Sequence, residues 1–263
     1  MELTSFFTLR LFLLTFARCA GTVWFAPVFG GVEISRLNKL TCALLLSFLV
    51  FPSVAAGSDP SVSRAFVFNA GNCVLLALSL SYELLLGAGT GLFLKIFFQG
   101  VYLAGETISR IGGVSVAESF DPSLGGETTA PASFLFWAML ATFVACGGFE
   151  AFLDGFLHYF SVVAPGAGLS PSELVVNLTG ALSSAFVLGL RLSAPVIIAT
   201  ALVYLCVGMS GRLFSQLNLY AISFNVNAIL TLVLLFLCIG VFCQVFQSEL
   251  ASVVEKFFGA RVA

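Results

Sequence analysis

Apolar residues run along this chain in blocks of membrane length, separated by short polar connections. Six blocks stand out: Leu9–Phe29, Leu40–Ala56, Asn72–Leu103, Ala132–Phe160, Leu178–Met209 and Ala221–Phe246. A helix needs about 20 mostly apolar residues to cross a bilayer, so each block is an expected span and the pattern predicts an all-α, polytopic fold. The third block is longer than one crossing needs. A helix from Asn72 to Arg110 is about 58 Å long at ~1.5 Å per residue; either Gly87-Ala88-Gly89 breaks it into a hairpin, or one helix leaves the bilayer. The fifth block is also overlong and carries Pro195, which removes an intrahelical hydrogen bond and predicts a kink. Long, interrupted helices point to a packed helical assembly. In the tail, Leu250, Val253, Val254, Phe257 and Phe258 recur at three- and four-residue spacing opposite Glu249, Ser252, Glu255 and Lys256. That is an amphipathic helix suited to a membrane surface or a partner.

One connection breaks the apolar pattern. Ile111 to Pro131, IGGVSVAESFDPSLGGETTAP, has four glycines, two prolines and three acids. Irregular backbone is tolerated at membrane depth only where protein covers it or water reaches it. The segment is therefore either an external connection or the lining of an aqueous path. Gly112 and Gly113 open backbone angles closed to other residues, Val114, Val116 and Phe120 supply bulk, and Asp121-Pro122 is a stiff far anchor.

Composition agrees with the pattern. Hydrophobic residues make up 59% of the chain and charged residues 9%, with a mean hydropathy of +1.08; an average soluble domain is about 25% charged. The chain is an integral membrane protein. A net charge of −2 offers no footprint for nucleic acid. Seven cysteines lie scattered through apolar stretches without the close spacing of a disulfide framework or zinc site, and all seven read as buried thiols. Val54-Ala55-Ala56 has the look of a cleavage site but lies too far in for a signal peptide, so the mature chain is expected to begin at or near Met1. Basic residues are spread over several connections and fix no orientation.

Glu83, Gly87, Gly91, Lys95 and Gln99 recur every four residues. Gly87 and Gly91 form a GxxxG that lets another backbone approach closely, so the row is a helix-packing face. A sharper alternative has Glu83 and Lys95 facing a partner subunit or a water-filled passage, since ionisable groups in apolar segments seldom face lipid. Glu150 and Asp154 are also four apart, with the chain's one histidine, His158, a turn further on. They read as a solvated segment end, too few for a metal site. With no GxSxG, no Walker loop and no evident cysteine–histidine site, the sequence points to no enzyme, cofactor or metal.

The collected residues resemble the FliR family. The matching pieces are Arg18-Cys-Ala-Gly-Thr-Val-Trp-Phe-Ala-Pro27-Val-Phe29, Arg36 to Lys39, Phe51-Pro52 and Glu83-Leu-Leu-Leu-Gly87-Ala-Gly-Thr-Gly91. They continue with Ala104-Gly105-Glu106, Phe120-Asp121-Pro122, Ala194-Pro195-Val196-Ile197 and Gly211-Arg212-Leu-Phe-Ser-Gln216-Leu217-Asn218. They follow family order over most of the chain as one domain, 1–263. The resemblance implies a subunit of the type III secretion export gate in the bacterial inner membrane, at a flagellar basal body or an injectisome base. FliP-like and FliQ-like subunits would complete a helical ring, FlhB-like and FlhA-like proteins would be further partners, and unfolded proteins would be the cargo. It also implies that long helices rise from the bilayer and that a loop plugs the closed pore. Here the plug would be Gly112-Gly113-Val114-Ser115-Val116-Ala117-Glu118-Ser119-Phe120, closed by Asp121-Pro122, with Arg212, Gln216 and Asn218 in a structural turn. Two positions depart from the family: Cys146-Gly147-Gly148-Phe149 replaces an Asn-Gly-His run, and Asn225 stands where relatives often have proline. A secondary transporter with its site at helix breaks near Pro195 and Gly87–Gly91 and a membrane enzyme using Glu150 and Asp154 are the competing readings.

Overall fold

The computed structural model describes residues 2–27, 35–57, 73–114, 128–166, 171–213 and 219–258, and these hold eight helices and no strand. They are α1 (Glu2–Phe25), α2 (Arg36–Gly57), α3 (Cys73–Ile111), α4 (Ala130–Ala145), α5 (Gly148–Val162), α6 (Pro171–Leu213), α7 (Leu219–Leu237) and α8 (Ile239–Phe258). α3 is one helix of 39 residues, unbroken at Gly87-Ala88-Gly89. α6 runs unbroken through Pro195 for 43 residues. The breaks on which a transporter site would depend are absent from both.

Among the described residues three helices are long and apolar enough to cross a membrane, within α2, α3 and α6. Two further spans arise if α4 with α5, and α7 with α8, each count as one bent crossing. α1 is not in this set, because Arg10 and Arg18 dilute its apolar run. The expected fourth block is not one helix: it breaks at Cys146-Gly147, where Gly147 takes φ 71°, a left-handed conformation that glycine adopts without penalty. The sixth block ends at Leu237, and α8 leaves it at 58° past Cys238. In the most apolar window of α3 67% of residues are buried, against 22% in α2 and in α6. α3 is therefore the helix others pack on, while α2 and α6 keep broad apolar faces outward.

The chain packs as two compact units: residues 1–96, 149–182 and 253–263 form the first, and 97–148 with 183–252 the second. In the first, α1 lies on α2, and Leu11, Cys19, Val50, Val54, Phe156 and Phe160 form a buried cluster. α1 also meets α3 backbone to backbone. A Cβ on Gly87 would overlap the carbonyl of Arg18, one on Gly91 the carbonyl of Thr22, and one on Gly21 the carbonyl of Leu84. The GxxxG thus serves contact within this chain. Closeness lets the hydroxyls of Thr22 and Thr90 bond at 2.8 Å.

Beside that seam lies a buried ion pair. Arg18 Nε donates to Glu83 Oε2 at 2.6 Å, and both side chains are almost wholly buried, 0% and 1% exposed. Arg18 Nη1 donates to the carbonyl of Val163 at 2.8 Å, and Glu83 Oε1 accepts the N–H of Gly166 at 2.8 Å. The guanidinium also sits 4.6 Å from the Phe160 ring centre. Two helices and the turn after α5 are thereby fastened together. Glu83 does not face a passage here, whereas Lys95 and Gln99 are exposed.

The tail helix packs on its own chain. Val253, Val254, Phe257 and Phe258 are buried, with Phe257 stacked on Phe93 and Phe258 edge-on to Phe152. In the second unit Phe98 is the hub, its ring within 5.8 Å of Phe136, Phe143 and Phe246. The cysteines are less buried than their apolar surroundings suggest: Cys146 and Cys206 are exposed, Cys42, Cys238 and Cys243 half-buried, and only Cys19 of those described is buried. α4, α6 and α8 turn parts of their apolar circumference outward, so an apolar neighbourhood in sequence is no guarantee of burial in space.

Removing one partner of a buried ion pair leaves the other charge unpaired and costs about 3–5 kcal/mol. Arg18→Leu and Glu83→Leu are each expected to destabilise by that order, while the two together recover part of the loss. SDS or urea titration of the detergent-solubilised protein measures it; additive single and double effects would show that the pair is not coupled.

Candidate functional site at the ends of the glycine-rich segment

The segment expected to be special, Ile111–Pro131, has both its ends within the described residues, while Ser115, Val116, Ala117, Glu118, Ser119, Phe120, Asp121 and Pro122 lie outside them. Its first end is the C-terminus of α3. The last carbonyls of a helix have no intrahelical partner, and here three of them find one. Gly112 N–H bonds Ile108 O at 2.9 Å, Gly113 N–H bonds Arg110 O at 3.3 Å, and the Tyr204 hydroxyl donates to Ile111 O at 3.2 Å. Gly113 has φ 78°, the left-handed residue that commonly ends a helix. Both glycines are buried and Val114 is half-buried.

Gly112 is also a contact point. A Cβ there would overlap the side chain of Thr231 on α7. One turn before each of these two residues, Ser109 on α3 and Asn227 on α7 are fully buried, and the polar side-chain atoms of Ser109, Asn227 and Thr231 have no protein hydrogen-bond partner. Such atoms are expensive in an apolar interior, so the end of α3 rests on buried polar groups that, unlike Glu83 and Thr90 earlier in the helix, have no protein partner.

The second end is the start of α4. Thr129 is buried, with φ −68° and ψ 151°, and its side chain does not cap its own helix. Glu106, one turn and a half back from the end of α3, supplies the acceptor instead. Its Oε1 takes the Thr129 N–H and the Thr129 hydroxyl, each at 3.1 Å. A carboxylate at a helix N-terminus is favourably placed for the helix dipole. Neighbouring Gly105 makes room, since a Cβ on it would overlap Ala132 in the first turn of α4. Arg110 Nε is 3.7 Å from Glu106 Oε2. The two roots of the segment therefore meet at one place, the last two turns of α3.

Gly105, Glu106, Gly112, Gly113 and Val114 are thus brought together. Glu83, Gly87 and Gly91 are not part of this place; they belong to the α1 seam. Pro195 is half-buried within α6, Arg212 lies in its last turn with its side chain outside the described residues, and Gln216 and Asn218 lie outside them. Glu150, Asp154 and His158 share an exposed face of α5, and among the described residues no group of three or more His, Cys, Asp or Glu is placed to hold a metal. Sequence reasoning missed Thr129, Tyr204 and Thr231. The one signal for Thr129 was its position two residues before Pro131 at a helix start.

The model of the family described as bacterial export proteins, family 1, matches residues 9–253. Among curated proteins the chain is similar to the flagellar biosynthetic protein FliR of Caulobacter vibrioides, 26% identical over 246 residues that cover 93% of this chain and 94% of that one. The flagellar biosynthetic protein FliR of Escherichia coli is 25% identical over 92% of this chain and 90% of its own. The surface presentation of antigens protein SpaR of Salmonella typhimurium is 24% identical over 82% and 77% respectively.

Gly112→Ala is expected to destabilise through its overlap with Thr231, by about 1–3 kcal/mol, and Thr231→Ala should relieve part of this by removing the overlapping atoms. Thr231→Val alone should be neutral or stabilising, since replacing an unpartnered hydroxyl by a methyl forfeits no bond. Unfolding midpoints in detergent decide; a Gly112→Ala protein as stable as the parent would contradict the contact.

Proposed function

The chain belongs to the bacterial export proteins, family 1, and from that premise we propose that it is a non-enzymatic subunit of a type III secretion export gate. In this reading it helps to form and to close the channel through which unfolded proteins cross the bacterial inner membrane. The cargo is flagellar, as the names of the FliR relatives suggest, or effector proteins of an injectisome. FliP-like and FliQ-like subunits cover the outward apolar faces of α2 and α6, and FlhB-like and FlhA-like components act with them. The observation that carries the reading is the pinning of both roots of a glycine-rich segment to the end of one long helix. A segment so held can occlude a passage while the helices around it stay in place. Residues 112–122 are the plug in this proposal, Val114, Val116 and Phe120 its bulk. Gln216 and Asn218 make a structural turn after α6, whose last turn holds Arg212, and Lys95 lies on an assembly face.

Deletion of residues 113–119 is expected to leave the assembly intact and make it leak ions and small solutes, read as conductance in planar bilayers or solute entry in cells. An assembled deletion variant as tight as the parent sinks the plug. Co-expression with FliP-like and FliQ-like subunits should yield a co-purifying particle, since exposed apolar faces and small residues need partner surfaces; a stable, transport-active particle of this chain alone would oppose the gate reading.

A further inference from the structure

We propose that the first turn of α2, with Trp24 beside it, is a docking place for the headgroup of an anionic phospholipid. All its residues lie in the first compact unit, and the proposal stands apart from the gate reading. α2 is one of the three spans, and its outward row from Leu37 through Leu40, Leu44 and Phe48 is apolar and exposed. Charge is confined to one end of that row. Arg36 is exposed and Lys39 half-buried at the start of the helix, while its last four residues, Val54 to Gly57, carry no charge. Among the described residues neither cation has a carboxylate partner, and Glu33, the nearest acid in sequence, lies outside them. Neighbouring polar groups are spent locally: Ser35 Oγ accepts the Asn38 N–H at 3.4 Å, and the Thr41 hydroxyl donates to the carbonyl of Leu37 at 2.7 Å. What the two cations lack is an anion from outside the chain.

Trp24 marks the depth at which that anion lies. Lys39 Nζ is 5.9 Å from the centre of its ring, and Trp24 is itself 49% exposed. An ammonium near an indole face is held by the ring's quadrupole. Tryptophan collects at the membrane–water boundary, because its body is apolar and its N–H needs an acceptor. Lysine and arginine at the end of a span lay their methylenes along apolar surface and hold the charge at headgroup level. Leu37 and Leu40, 76% and 52% exposed, begin the apolar row beside them. Two cations at the head of an exposed apolar strip suit an amphiphile, with its phosphate on Arg36 and Lys39 and the start of an acyl chain on Leu40. A free inorganic anion leaves the strip uncovered, and a zwitterionic lipid brings a cation of its own. In the gate reading this end is the rim of the face that partner subunits cover. Each basic residue near an anionic lipid surface contributes about fivefold in affinity.

The chain has two tryptophans, so Trp137→Phe leaves Trp24 as the one indole reporter. The full chain with that substitution is reconstituted in phosphatidylcholine bilayers holding a rising share of brominated phosphatidylglycerol or, in parallel, brominated phosphatidylcholine. Bromine quenches indole fluorescence on contact. Half-quenching should need a markedly smaller share of phosphatidylglycerol than of phosphatidylcholine, and bromines near the glycerol should quench more than bromines near the chain ends. Arg36→Gln and Lys39→Gln should each cut the preference by up to about fivefold, and Lys39→Arg should keep it. Equal quenching by the two lipids, no quenching by either, or stronger quenching from the chain ends overturns the proposal. So does a parental preference in the Arg36→Gln, Lys39→Gln double variant. A preference abolished by inorganic phosphate but not by sodium chloride of the same ionic strength marks a site for the free anion and overturns the lipid. If the glutamine variants fail to reconstitute, the comparison of the two lipids and the two bromine depths decides with α2 unaltered.

Discussion

Arg18 and Glu83 cannot be parted in an apolar interior without leaving a charge unpaired, and that requirement organises the first unit. The guanidinium is tied to a carboxylate on α3 and to a carbonyl past α5, and the carboxylate returns a bond to Gly166 of the same turn. Desolvating two ions is costly, and such a pair often adds little net stability over a well-packed apolar one. What it adds here is uniqueness. Slide α1 along α3 by one turn and the ions separate, while Gly21, Gly87 and Gly91 no longer face backbone. Charge and small residues specify one register together.

The second unit uses the same device with a different partner. Glu106 is again a carboxylate on α3, and again it accepts a backbone N–H from a connection instead of from its own helix. Glu83 holds the turn after α5 and Glu106 the root of α4. A long apolar helix offers no polar groups of its own, because its N–H and C=O groups are spent along the axis. Acidic side chains on such a helix are the available means of catching irregular backbone where water is scarce. This explains why two acids stand in so apolar a helix: each has irregular backbone to hold.

Much of this was legible from residue order. The helical class, the overlong third and fifth blocks and the polar segment all follow from hydrophobic periodicity and composition, and GxxxG pointed to a close helix contact. Other features were out of reach for physical reasons. Arg18 and Glu83 are 65 positions apart, and no local pattern joins them. The break at Gly147 depends on a left-handed residue in a block whose hydrophobicity is continuous. At Pro195 the block is not cut: α6 runs through it as one helix. Glu106 was recognisable as part of a motif, but its role became visible only once Thr129 was placed beside it.

The buried arginine also imposes an order in time. α1 leaves the ribosome well before Glu83 has been made, and an arginine at the centre of an inserted helix costs about 2.5–3.5 kcal/mol by insertion scales. Until α3 arrives, Arg18 lacks the carboxylate that pairs with it. α1 is thus a poor candidate to settle alone in lipid during synthesis, and its own apolar run is already diluted by a second arginine at position 10. α1 is among the helices that must wait for a later one before they can take their place.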